Sequence, residues 1–196
     1  MLHSDFMSRK YKFYDQSKLY FVSYATVGWV DVFVRQQYCE VVLQSLQYCI
    51  DNKGLEVYAW CIMSSHVHLI IGSKGDKLED IMRDHKRHCS ETLRKSINEN
   101  IQESRKEWMM QLFEHAGKEN GNNRGFQFWQ QNNQPIGLIT ADMLYDRLNY
   151  LHMNSVAARF VSNPEDWNWS SAVDYYTNRK GKLEGLTLLE VDTRVK

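Results

Sequence analysis

Four cysteines in 196 residues, Cys39, Cys49, Cys61 and Cys89, contain no C-x-x-C pair. That absence excludes a zinc ribbon and a dithiol redox motif. A secreted disulfide scaffold would be denser in cysteine, so the four are expected to be reduced, mostly buried thiols in a cytoplasmic protein. Charge of one sign is not in excess either, with 24 Lys+Arg against 24 Asp+Glu. The balance excludes a uniformly basic nucleic-acid coat or an acidic tail, and leaves a local basic groove open. No apolar run approaches the ~18 residues of a membrane span. The N-terminus carries Arg9, Lys10 and Lys12 with no apolar stretch after them, so neither a signal peptide nor a membrane partner is expected. No internal repeat is present. What the chain does have is length for one domain with a real core, and 13% aromatic residues, which argues against disorder.

Leu19 to Val27 is rich in β-branched and aromatic residues and reads as a strand closed by Gly28. From Phe33 to Lys53 apolar residues recur at helical spacing, with Asn52-Lys53-Gly54 as the stop. Leu55 to Met63 and His66 to Gly72 read as two strands paired in a hairpin across Ser64-Ser65. Lys77 to about Asn100 returns to a helical period. Residues 102–124, with Gly117, Gly121 and a polar run from Lys118 to Asn123, are expected to be a flexible insertion. Phe126 to Gln130 is the candidate fourth strand. Thr140 caps a helix of roughly 20 residues to Phe160, and Asn163-Pro164 ends that region. The predicted fold is α+β: a ferredoxin-like split βαβ antiparallel sheet with helices on one face and an additional C-terminal helix. One domain, 1–196, is expected, with its core at about 18–176. That fold alone decides no function.

The sharpest local feature is His66-Val67-His68. Alternation in a strand sends both imidazoles to one face, about 6–7 Å apart, where they can converge on a divalent metal. Two ordinary histidines on a half-exposed sheet face would give the same pattern. The second feature is Tyr150-Leu151-His152-Met153-Asn154. Tyr150 and Asn154 share a helix face one turn apart. A tyrosine can be a covalent nucleophile, and an amide oxygen can join two histidines at a metal. A packed aromatic with a polar neighbour is the plainer reading.

In combination the segments Trp60 to Ile71, Asn149 to Val156 and Asn163 to Ser171 resemble the HUH single-strand DNA transposases with one catalytic tyrosine. Among them the resemblance is closest to the REP-associated tyrosine transposases. Ile81 to Arg87 resembles the basic helix of that family. The match spans roughly residues 18 to 176 in order and spacing. One departure is Asn154-Ser155, where family members often carry Asn-Pro; without the proline bend the helix end is not fixed by the motif.

The resemblance implies a metal-dependent enzyme that cleaves and rejoins single-stranded DNA, in the transposition of hairpin-flanked elements. Tyr150 is then the catalytic residue, and His66, His68 and Asn154 ligate a divalent ion, Mg²⁺ or Mn²⁺. Attack by the tyrosine leaves a 5′-phosphotyrosine and a free 3′-hydroxyl. A phenol ionises at about pH 10, so it needs the metal or a base. His152 lies about 200° round the helix from Tyr150, which gives it a structural role. For phosphate contacts the candidates are Arg9, Lys10, Lys12, Arg83, Lys86 and Arg87. Lys74 to Lys95 holds seven cations against five acids, a surplus that a solvated helix explains equally well. Tyr11, Phe13, Tyr14, Trp108, Trp129, Trp167 and Trp169 are candidate base-stacking aromatics, though most fit a core. The alternatives are a domesticated protein that binds DNA hairpins without mobilising them, and a metallohydrolase with a water nucleophile. Family relatives include homodimers, so a dimer is a further expectation.

Overall fold

The computed structural model describes residues 13–75, 77–120, 125–131 and 135–190. The expected contacts Arg9, Lys10 and Lys12 lie outside the described residues. In chain order the elements are β1 (Leu19–Ala25), α1 (Gln36–Lys53), β2 (Leu55–Ile62), β3 (His66–Ser73), α2 (Leu78–Glu99), α3 (Lys106–Glu119), β4 (Ile136–Leu138), α4 (Ala141–Ala157) and α5 (Ala172–Tyr176). The strands form one sheet in the order β2-β3-β1-β4, every neighbouring pair antiparallel. β1 and β2 therefore run parallel to each other across β3, joined by the α1 crossover. This is the split βαβ arrangement.

Period-two alternation divides the sheet into two faces. Tyr20, Val22, Tyr24, Val67, Leu69 and Ile71 point toward α1 and α2, where they meet Leu46, Ile81, Met82, Cys89 and Leu93 in the larger core. Phe21 and Ile70 point the other way and meet Leu148 and Leu151 of α4. A bulge between Val57 and Ala59 shifts the alternation of β2, which sends Trp60 and Ile62 into the first core and Ala59 and Cys61 into the second. The tyrosine-bearing helix thus covers the face that α1 and α2 leave bare. All four cysteines are free and buried, and burial pushes the Cys39 and Cys89 thiols up to about 12. No helix among the described residues is long and apolar enough to cross a membrane.

Two expectations are corrected. The stretch 102–124, read as a flexible insertion, contains α3, whose Met109, Met110 and Phe113 are buried in the larger core. Gly117 breaks no helix; the backbone of Gly125 and Phe126 passes so close that a Cβ there has no room. Phe126 to Gln130 is an isolated bridge rather than a strand: Trp129 pairs with Thr26, flanked by bonds from the Val27 N–H to Phe128 O and from the Gln130 N–H to Ala25 O at 2.8 Å, while the Phe128 ring packs on Phe113. The fourth strand is the short β4, paired with Leu19 to Phe21.

The Trp-Asn-Trp-Ser-Ser segment has a structural task. The Ile62 N–H donates to Trp169 O at 2.8 Å, the Ser171 N–H to Trp60 O at 2.9 Å, and the Trp60 N–H to Ser171 Oγ at 3.0 Å. These bonds cover the outer edge of β2, which otherwise offers unpaired backbone groups to other chains. Trp167 Nε1 adds a bond to Ile62 O at 3.0 Å.

Candidate active site

β3 carries His66 and His68 onto the face beneath α4, with ring centroids 4.7 Å apart. Their cross-strand partners on β1 are Ala25 and Ser23, both small side chains. α4 begins at Thr140, whose Oγ1 accepts from the Met143 N–H at 3.2 Å. Leu148 and Leu151 seat the helix on the sheet. Tyr150 and Asn154 then project one turn apart toward the histidines. The Tyr150 ring lies 5.4 Å from that of His68, and the Asn154 amide nitrogen 3.3 Å from His68 Nε2. Tyr150 remains 48% exposed beside the histidines.

Phe21 fills the floor. It stacks on His68 at 5.5 Å with 22° between the planes and meets Tyr150 edge-on at 6.0 Å. The Ser65 hydroxyl lies 3.2 Å from His66 Nδ1, which orients that ring and leaves Nε2 for another partner. Burial lowers the pKa of His66, against an opposing push from Asn154. Burial, reinforced by the charges of His66 and Arg147, pulls His68 down to about 3. Both rings are therefore neutral near pH 7, the form that ligates a metal. The donor set is two imidazoles and an amide, and His68 Nδ1 is buried with no partner among the described residues. No group of three His, Cys, Asp or Glu occurs there. Two neutral imidazoles and an amide oxygen are donors that a divalent ion can take.

Arg147 was not singled out by the sequence, although it lies three residues before Tyr150 and hence on the same helix face. Its guanidinium stands 5.3 Å from the Phe21 ring and 5.9 Å from the Tyr150 ring. It is the cation the site holds beside its nucleophile candidate. Trp29, 58% exposed, closes the other end, edge-on to His66 at 5.4 Å.

The expected phosphate contacts on α2 are placed elsewhere. α2 packs on the opposite face of the sheet, through Ile81, Met82 and Cys89. Arg83 pairs with Asp80 and Asp84, and Arg87 with Asp84 at 3.7 Å. Lys86 is half-buried, with its ammonium 5.4 Å from the Tyr24 ring, and burial lowers it to about 8. Of the expected stacking aromatics, Phe13 and Trp129 are buried and Trp167 is tied to Ile62, whereas Tyr14 and Trp108 are exposed. His152 is buried, as expected from its side of the helix, with Nε2 2.9 Å from Ser171 Oγ.

Residues 29–116 match the family model of IS200-like transposases. No curated protein matches the chain in sequence. Among solved structures it is similar to a REP-associated tyrosine transposase bound to a REP hairpin, with a TM-score of 0.58 at 14% identity. The alignment covers 86% of this chain and 84% of that one. The matched residues 29–116 include the histidine strand, and over most of its length the chain shares the fold of that transposase.

Proposed function

We propose that the protein cleaves and rejoins single-stranded DNA through a covalent link to Tyr150. The observation that carries this reading is the approach of a half-exposed phenol to 5.4 Å from the ring of a buried, neutral His68, on a helix fixed to the sheet. His66, His68 and Asn154 would hold a divalent ion, Mg²⁺ or Mn²⁺, which supplies Lewis-acid polarisation of the scissile phosphate. Arg147 adds a fixed positive charge beside the phenol, suited to a phosphate oxygen. Tyr150 Oη attacks phosphorus as the bond to the 3′-oxygen breaks. The phenol proton is lost and the 3′-oxygen gains one, so the products are a 5′-phosphotyrosine and a 3′-hydroxyl. One ester replaces another, and attack by a 3′-hydroxyl on the linkage rejoins strands without ATP. The similar solved structure holds a REP hairpin, and a hairpin-bearing single strand of DNA is the substrate class proposed here.

The test is a denaturing gel after incubation with single-stranded DNA from the flanks of the gene and Mn²⁺ or Mg²⁺. A protein–DNA adduct is expected from the unaltered chain and none from Tyr150→Phe. Cleavage that survives Tyr150→Phe would mean a water nucleophile. Tight binding with no adduct from either protein would reduce the function to hairpin recognition.

A further inference from the structure

One exposed aromatic at the site has no part in the chemistry above. Trp29 follows Gly28 in the turn after β1, and both have positive φ, 55° and 66°. Glycine adopts that conformation freely, but for a bulky residue it is a strained outlier. Such strain persists only where the surroundings over-determine the backbone, and here they do. The buried Thr26 hydroxyl lies 2.7 Å from Val30 O and 3.1 Å from Ser65 O. The N–H groups of Thr26, Val27 and Trp29 donate to Ser65 O, Phe128 O and Thr26 O at 2.8 to 3.0 Å. On the other side the turn lies against α3, where a Cβ on Gly28 would be 3.2 Å from Leu112 Cδ2.

This bracing does not bury the indole. It holds it 58% exposed at the end of a row running Arg147, Tyr150, His68, His66, Trp29, with successive separations of 5.9, 5.4, 4.7 and 5.4 Å. The row carries cation and nucleophile at one end and a flat apolar surface at the other. A phosphate held over the two histidines would place its adjoining flat base within one such step of the indole. We infer that Trp29 is the stacking platform for an unpaired base adjoining the cleaved phosphodiester, and that it keeps the strand in register over His66 and His68. The inference rests on the single-stranded DNA reading. A base inside a duplex already has both faces stacked, so the occupant is an unpaired one, and stacking tolerates any base.

The test uses the full chain carrying Tyr150→Phe, which keeps the ring and prevents turnover. Its affinity is measured for single-stranded oligonucleotides tiling the gene's flanks, then for the best binder with an abasic site moved one nucleotide at a time. One abasic position is expected to weaken binding by about 5- to 150-fold, the range for one base–aromatic stack. Adding Trp29→Ala should weaken the intact strand to the same level, with no further loss from that abasic site. Trp29→Phe should recover part of the affinity. Trp29→Gly should lose it while the melting temperature holds or rises, because glycine relieves the positive φ. Independent, multiplying losses, or no loss with Trp29→Ala, would overturn the platform and leave the DNA reading intact. A chain that binds none of the single strands would overturn both.

Discussion

The amide of Asn154 on α4 lies 3.3 Å from Nε2 of His68 on β3, a polar contact that joins the tyrosine helix to the histidine strand. Because His68 is neutral and nearly buried, the contact adds no charge to the site. Asn154→Ala removes one of three neutral donors and is expected to cut cleavage at fixed Mn²⁺ by about 10- to 100-fold, comparable to losses from disturbed metal sites. Asn154→Asp restores an oxygen donor with added negative charge and should lower the Mn²⁺ concentration for half-maximal cleavage relative to Asn154→Ala. A metal titration of both variants decides the matter. Equal half-maximal concentrations for wild type, alanine and aspartate variants would remove Asn154 from the ligand set.

Arg147 faces both Phe21 and Tyr150 across their rings. A guanidinium there can stack on the aromatics and still turn a donor edge to a phosphate oxygen. A hydrogen bond to a charged group contributes about 1.5–3 kcal/mol, so Arg147→Gln is expected to slow single-turnover cleavage by roughly 10- to 150-fold. Arg147→Lys keeps the charge but loses the planar fork, and should fall between. If both variants cleave at the wild-type rate while saturated with DNA, the arginine only packs the helix.

The Ser171 hydroxyl joins three elements: the Trp60 N–H donates to it at 3.0 Å, Trp60 O lies 3.2 Å away, and His152 Nε2 is 2.9 Å away. His152 Nδ1 already has no partner among the described residues. Ser171→Ala therefore leaves a second imidazole nitrogen and a backbone N–H unsatisfied in the interior. Each such group costs about 1–3 kcal/mol, and the variant should lose roughly 2–6 kcal/mol in urea unfolding. Cleavage per folded molecule should stay within a few-fold of wild type, since neither residue touches the reacting atoms. A variant of undiminished stability would show the Trp-Asn-Trp-Ser-Ser segment to be a passive cover.

Much of this site was legible because its spacing is local. The H-x-H alternation puts His66 and His68 on one face whatever lies around them, and the i, i+4 relation does the same for Tyr150 and Asn154. Thr140 marks the start of α4 by its own chemistry. What the sequence hid depends on contacts far along the chain. The period of α2 showed a helix with cations on it, but which face of the sheet it covers is decided by Ile81 and Met82 joining the core of Val67 and Leu69, and by His85 Nε2 lying 2.7 Å from the Tyr24 hydroxyl. α3 was masked by the polar run after it and by Gly117, whose reason is the backbone of Phe126 rather than a turn. Trp29 sits in a turn whose bracing comes from Ser65, Phe128 and Leu112. Arg147 alone was within reach of a local rule.

Glu103, fully buried, joins the residues that precede α1 and α3: Arg35 Nε lies 2.5 Å from one carboxylate oxygen and Arg105 Nε 2.9 Å from the other. Burial pushes this carboxyl up, but the hydrogen bonds from Arg105 and Arg35 outweigh it and hold the group at about 2. A carboxyl depressed in the folded state stabilises it fully above its ordinary value of 4.5. That contribution is lost as pH falls from there through about 2. Partial exposure of the Arg35 guanidinium screens the interaction, so the loss should be roughly 2 kcal/mol. Glu103→Gln should be less stable than wild type at pH 7 and should show a shallower decline in urea-unfolding stability between pH 5 and pH 2. Parallel declines for the two proteins would place the origin of acid sensitivity at other carboxylates.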